Sequence, residues 1–331
     1  MHLSEILVSC TRPNVSWDRP AVPDWMIGSF KRRFITYADG LTDVDMEVYW
    51  LQSRRFSIDL RLARVDDQLP ACHMDKADPA MREALAQHQG WFAESHWDEV
   101  QQQLSWQAAT SLQLHDLWPE PAILRRVGNC MIEFAPSGVL IEDWRLQNLR
   151  TGPLIGLQLL GEYDSTGTLL RTGGGLIIND GSAAMVTGRT RHEQDRINAL
   201  SLAYEREHHI PATLPRLMQT DGLDIANRRA LMGCETSLAM GSLVAGYTVT
   251  RSTHPDRLGA SLLWLDGFNW DADGHLIQAL TVDGQPYTRV YAVDVLEAAF
   301  PYPQSTATTA KATDWMQAES VWRSRYTETV L

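Results

Sequence analysis

Short runs of alternating apolar and polar residues, punctuated by turn-forming clusters, recur along most of this chain and leave little choice of architecture. Successive side chains of an extended strand point to opposite faces, so Met46, Val48 and Trp50 share one face while Glu47 and Tyr49 share the other. Phe56, Ile58, Leu60 and Leu62 repeat the pattern against Ser57, Asp59 and Arg61, with Ser53-Arg54 closing the two runs into a hairpin. Strands are expected over 104–114, 122–134 and 139–147, the last preceded by a turn at Pro136-Ser137-Gly138. A meander follows over 155–163, 168–178 and 182–189, turned by Asp164-Ser165-Thr166-Gly167 and Asn179-Asp180-Gly181. Further strands are expected over 234–240, 244–251, 260–265, 275–282 and 285–293, the last two joined at Asp283-Gly284. Sequential hairpins about 8 to 12 residues apart favour up-and-down antiparallel sheets over a doubly wound βαβ fold.

Other segments break this rhythm. The first 45 residues, with Pro13, Pro20 and Pro23 around Trp17 and Trp25, read as an irregular lead-in whose aromatics plug a barrel end. Helix formers behind Pro79 predict a short helix over 79–86, and apolar spacing predicts a longer one over 191–209, stopped by Pro211 and Pro215. A Pro/Thr/Ala linker over 301–312 leads to a final amphipathic helix through Trp315, Trp322 and Arg325, expected to dock on a barrel wall. Gly173-Gly174-Gly175 precedes a strand and lacks the lysine of a phosphate loop, so it reads as a bend or bulge. A chain of 331 residues exceeds the usual single core of about 100 to 200 residues. The expectation is therefore mainly β, with two tandem antiparallel barrels or half-barrels and a few short helices. An N-terminal barrel-like domain would take 1–152, and a C-terminal one 153–331, with the 191–209 helix as an insertion.

Composition narrows the function classes. Hydrophobic residues at 44% and charged residues at 21% belong to a packed globular protein. The net charge of -12, from 41 acidic and 29 basic residues, comes without a basic run able to follow a phosphate backbone, so nucleic acid is not an expected partner. Residues 1–12 carry Glu5 and no long apolar stretch, and no segment approaches the roughly 18 apolar residues of a membrane span, so a cytoplasmic address without membrane contact is expected. Cys10, Cys72, Cys130 and Cys234 form no C-x-x-C pair and read as free, mostly buried thiols. His73, His88, His96, His115, His192, His208, His209, His254 and His275 include no H-E-x-x-H, and no G-x-S-x-G is present, so neither a metal nor another cofactor is expected.

Val48-Tyr49-Trp50-Leu51-Gln52, then Asp59-Leu60-Arg61, then Glu142-Asp143-Trp144-Arg145 form a pattern that resembles a lipocalin-like, calycin-type β-barrel family with a fungal kinase-interacting member and bacterial relatives. Arg251-Ser252-Thr253-His254-Pro255 and Asp266-Gly267-Phe268 extend the likeness into the second half. The resemblance implies two barrel-like domains and no catalytic residues to carry over. Ala63 stands where the pattern expects proline after the Asp-Leu-Arg strand.

Three polar constellations are candidates for chemistry. Asp59 and Arg61 share one strand face beside Trp50 and Gln52, where they would orient a polar ligand group or else form a structural ion pair. Glu142 shares a face with Trp144, and a carboxyl against an indole would have a raised pKa suited to acid or base work. Trp106 and His115 lie on or just after a strand able to flank it, and the same pattern also fits a solvated face with a core Trp. Glu235, Arg251, Thr253, His254, Arg257, Arg289 and Asp294 would give an anion site or merely solvated strand ends. Glu142, Asp59 and His115 are thus the catalytic candidates, and Trp50, Gln52, Arg61, Trp106, Trp144 and Arg251 the substrate-binding ones. With 12 Trp in the chain, the leading expectation is a Trp-lined barrel binding a small, largely apolar or aromatic molecule. Cofactor-independent conversion of an isomerase, lyase or hydratase type would extend it. The alternatives are a carrier, or a protein–protein interaction or assembly module without catalysis; a homo-oligomer stays open.

Overall fold

The computed structural model describes residues 1–9, 20–63, 77–115, 120–282, 284–303 and 305–326. Cys10, Pro13, Trp17, Cys72, His73 and Asp283 lie outside the described residues. The first sheet is built from β1 (Gly28–Tyr37), β2 (Thr42–Asp43), β3 (Glu47–Gln52), β4 (Phe56–Leu62), β5 (Gln89–Asp98), β6 (Gln103–Ser111), β7 (Ala122–Val127), β8 (Cys130–Phe134) and β9 (Leu140–Leu146). Apart from the short β2, which pairs only with β1, the strands run in chain order and β1 pairs back onto β9. The result is a closed antiparallel barrel of eight strands, the architecture of lipocalin-like folds. Register shifts at Arg32/Phe34 and Phe92/Glu94 bend the wall so that it can close.

The lead-in departs from its sequence reading in one respect: β1 is a regular strand of ten residues, and it is the one that completes the barrel. Its Lys31-Arg32-Arg33 run masks the alternation, because Arg32 points inward to a carboxylate partner. Trp25 and Met26 do plug a barrel end, with Trp25 edge-on to Trp97 at 5.7 Å. β5 went unmarked because its Glu, Ser and His residues interrupt the apolar pattern, whereas the helix over Pro79–Ala86 (α2) forms as expected behind its Asp78 cap.

The second sheet comprises β10 (Gly152–Asp164), β11 (Leu169–Arg171), β12 (Gly174–Asn179), β13 (Ser182–Thr187), β14 (Glu235–Ser242), β15 (Gly246–Ser252), β16 (Phe268–Trp270), β17 (Leu276–Val282) and β18 (Gln285–Phe300). Its order is β15-β14-β13-β12-β10-β18-β17-β16, with β11 beside β10, and its edges do not pair. Two tandem barrels or half-barrels are therefore corrected to one closed barrel and one open sheet. Pro255 opens a single helical turn over Pro255–Arg257 where a closing strand would have to continue, and the expected strand over 260–265 keeps one isolated bridge, Thr248 to Ser261. Irregular backbone covers the edges instead: Val249 N–H donates to Ala260 and Leu262 N–H to Tyr247, both at 2.8 Å. Helix α1 (Leu3–Ser9) caps this core with Leu3, Ile6 and Leu7, while Met1 exchanges main-chain bonds with Phe268.

The glycine triplet opens β12. Gly174 has φ +91, and a Cβ there would strike the Val186 carbonyl, so the triplet is a backbone bend as expected. Asp180-Gly181 turns β12 into β13, with Asn179 opposite Ser182.

The two sheets share a core. β4 is buried on both faces: Ser57, Asp59 and Arg61 line the barrel interior, while Phe56, Ile58, Leu60 and Leu62 face out against Ile177, Ala184, Val186 and Leu238. Each such apolar side chain contributes roughly 1.5–3 kcal/mol by leaving water. Helices α2, α3 (Arg191–His208), α4 (Leu214–Met218) and α5 (Ile225–Leu231) close this layer through Leu85, Ile197, Leu217 and Leu231. Helix α3 starts at a Thr190/Glu193 capping box. The tail forms α6 (Ala310–Ala318) and α7 (Ser320–Tyr326), where Trp315, Val321 and Trp322 are exposed and no residue of α6 is buried, so the expected docking on a barrel wall is not seen among the described residues.

Candidate functional site

The barrel interior is layered. At the plugged end Phe30, Leu104, Leu124, Met131 and Leu146 pack with Met26. Above them Trp50 lies 5.5 Å from Trp144 and 6.3 Å from Trp106, edge to face in both cases, and 5.7 Å from Phe30. Such ring pairs add about 0.5–1.5 kcal/mol each beyond area burial. Trp50 Nε1–H donates to Gln52 Oε1 at 3.2 Å, and Gln52 Nε2–H bonds Ser95 Oγ and two backbone carbonyls, so this glutamine is spent on holding the wall.

Toward the other end the interior turns polar. Arg61 Nε sits 3.0 Å from Asp59 Oδ1, with its guanidinium 5.0 Å over the Trp91 ring. Arg32 donates to Glu142 at 2.7 Å and to Asp43 at 2.8 Å, and Arg61 Nη1 lies 4.0 Å from Glu142. Glu133, on β8 opposite Glu142, accepts the Trp144 indole N–H at 3.0 Å. Three interior carboxyls thus face two guanidiniums. Burial, reinforced by the Glu142 charge, raises Glu133 well above the usual carboxylate range. Burial likewise lifts Asp59 to about 6, against the pull of Arg61. Two carboxyls whose protonated forms are favoured by burial therefore look into the interior from facing walls, Asp59 on β4 and Glu133 on β8.

Trp50, Trp91, Trp106 and Trp144 with Ser57, Asp59, Arg61 and Glu133 line a pocket in this polar half. Its free space for the centre of a water-sized sphere is ≈ 10 Å³, about the room one water needs. Ser57 Oγ is buried there with no hydrogen-bond partner among the described residues.

The structure brings together Asp59, Arg61, Glu142, Trp50, Trp106 and Trp144, with Gln52 just behind them. It sets apart His115, exposed on the wall of a groove beside α3, and Arg251, which reaches across from β15 to Glu47 at 2.6 Å outside the barrel. Burial raises Glu47, but Arg251 and Lys31 outweigh it and hold the carboxyl at about 2. Glu133 was missed because the run 122–134 reads as one strand. Gly128-Asn129 in fact turns it into a hairpin, and that two-residue signal would have placed Glu133 on the inner face. Cys130 and Cys234 are free, and burial pushes both thiols to about 11, away from nucleophilic use. Asp271, Asp273 and His275 gather ligand atoms within 4.8 Å of one another on an exposed turn, where Asp271 already binds the His275 backbone and ring. Among the described residues no helix is long and apolar enough to cross a membrane. In comparison with known proteins the chain matches no family model, no curated protein and no solved structure.

Proposed function

We propose that the barrel binds a small, flat, largely apolar molecule with an uncharged or cationic polar head. The observation that carries this reading is the indole-walled pocket with a buried, unpartnered Ser57 hydroxyl beside Asp59. Charge sets the head group, because Arg32 and Arg61 are already matched by Glu142, Asp43 and Asp59, which leaves no guanidinium for a further anion. Size sets the cost: entry requires a wall group to swing, and the partly exposed Trp106 is the indole with least to lose. The calycin-type resemblance fits a ligand-binding barrel, and the free thiols fit a reducing, cytoplasmic compartment.

Cofactor-independent conversion, as an isomerase, lyase or hydratase, is a second reading favoured by one observation. Glu133 as proton donor and Asp59 as acceptor line one pocket from facing strands, both with raised pKa values. Benzyl alcohol, benzylamine and benzoate carry neutral, cationic and anionic heads on one ring. Titration followed by the indole N–H resonances of Trp50 and Trp144 should show saturable shifts with the first two and none with benzoate. Barrel indoles that ignore all three ligands, or answer benzoate best, refute the reading.

A further inference from the structure

The open sheet carries a separate cleft of about 790 Å³, within the range of about 300–1,000 Å³ that small-molecule sites occupy. Strands β10, β11, β13, β14, β17 and β18 bound it together with residues 254–264. At one end Arg289 and Arg171 both turn Nε toward Glu162, at 2.7 and 3.0 Å. Two guanidiniums share this one carboxylate, while Glu193, which also lines the cleft, is bonded to Thr190 N and Oγ1 in the α3 capping box, and Arg171 is fixed by a second bond from Nη1 to the Gly188 carbonyl. At the other end Arg257 is matched by Glu235 at 2.8 Å, with His254 alongside. The lining also carries apolar side chains, Met185, Leu262, Leu263, Leu280 and Trp264. Trp264 is 64% exposed, and its loop is pinned by Gln278 Nε2 donating to the Trp264 carbonyl at 2.7 Å.

We propose that this cleft binds an aromatic carboxylate, a small organic monoanion whose head lies on Arg289 and Arg171 and whose ring lies against Trp264. The recognition differs from that of the barrel: two guanidiniums share one carboxylate here, whereas both guanidiniums are matched there. A planar guanidinium offers a carboxylate two parallel N–H donors, so the head group gains orientation as well as charge. The ring gains stacking on an indole that otherwise faces water. Selectivity follows from the pairing, since a neutral ligand of the same shape forfeits the charge-assisted bonds.

The probe is 2-naphthoate, titrated calorimetrically into the full chain. Saturable one-to-one binding is expected, at least 10-fold tighter than that of 2-naphthylmethanol and unchanged in the presence of saturating benzylamine. Arg289→Met and Trp264→Ala should each weaken it at least 10-fold. Trp264 is exposed, so its replacement leaves the core intact and decides the matter even where loss of Arg289 impairs folding. No saturable binding, equal affinity for the alcohol, displacement by benzylamine, or affinity that survives Trp264→Ala would each overturn the proposal.

Discussion

Replacement of Asp59 by asparagine removes one ionisation from the barrel wall while keeping the shape of the side chain. Asp59 is 6% exposed, and its one close partner, Arg61, also lies within 4.0 Å of Glu142, so the neutralising charge is divided. Its carboxyl rises from 3.8 to about 6. That is about 2 pKa units, and at about 1.36 kcal/mol per unit the coupling to folding is about 3 kcal/mol. The folded-state value is the higher one, so the native chain holds this proton more tightly than the unfolded chain. The contribution of Asp59 to stability is therefore complete below about pH 4 and disappears as pH climbs through about 6. Asparagine leaves Arg61 less well paired, a constant penalty that does not titrate; the pH slope is the quantity to read. Urea unfolding of both proteins at about pH 4 to 7 should show the wild type losing about 3 kcal/mol relative to Asp59→Asn across that interval, at unchanged m-value. A difference that stays flat within about 0.5 kcal/mol, or that grows in favour of the wild type as pH rises, refutes the reasoning.

Burial favours the protonated form of Glu133, which an amide mimics, so Glu133→Gln should shift unfolding free energy by less than about 1 kcal/mol. Glu133→Ala, which strands the Trp144 N–H, should cost about 1–3 kcal/mol in the same urea titration. Asp294 is fully buried and accepts from Ser53 Oγ at 2.6 Å and from Arg55 N and Nη1 at 3.0 Å, tying the β3–β4 turn to β18. Asp294→Ala should therefore cost about 3–5 kcal/mol, read as a drop in calorimetric melting temperature. Glu47 is depressed to about 2, so its stabilisation is complete above about pH 4.5 and is lost as pH falls through about 2. Arg251→Gln should accordingly move the acid-unfolding midpoint, followed by Trp fluorescence, to higher pH.

Much of the strand order was legible because turn chemistry is local. Asn179-Asp180-Gly181 and Asp164-Ser165-Thr166-Gly167 demand left-handed residues that few other sequences supply, and both turns stand where the residues put them. The pairs Asp59 with Arg61 and Glu142 with Trp144 were equally readable, since alternation alone groups them, but which face looks inward was not. Closure was not. Residues 260–265 have the composition of a strand, but whether two distant edges meet is a long-range property, and Pro255 with the turn behind it sends that backbone along a different path. Arg251 shows the complementary limit: alternation says which residues accompany it, not whether that face looks into a barrel or across to Glu47. His115 lies past the end of its strand, where periodicity stops reporting direction.

The doubly covered β4 bears on the order in which the molecule can be made. Ribosomes deliver the chain from its amino end, so the cylinder's last strand, ending at Leu146, is out before Ile177, Ala184, Val186 and Leu238 exist to shield Phe56, Ile58, Leu60 and Leu62. For that interval a greasy stripe runs along an otherwise finished wall, and translation pauses between the two halves lengthen it. Yield in the cell is thus governed by how fast the later half arrives, and the first half released alone is a natural client for chaperones rather than a portable module.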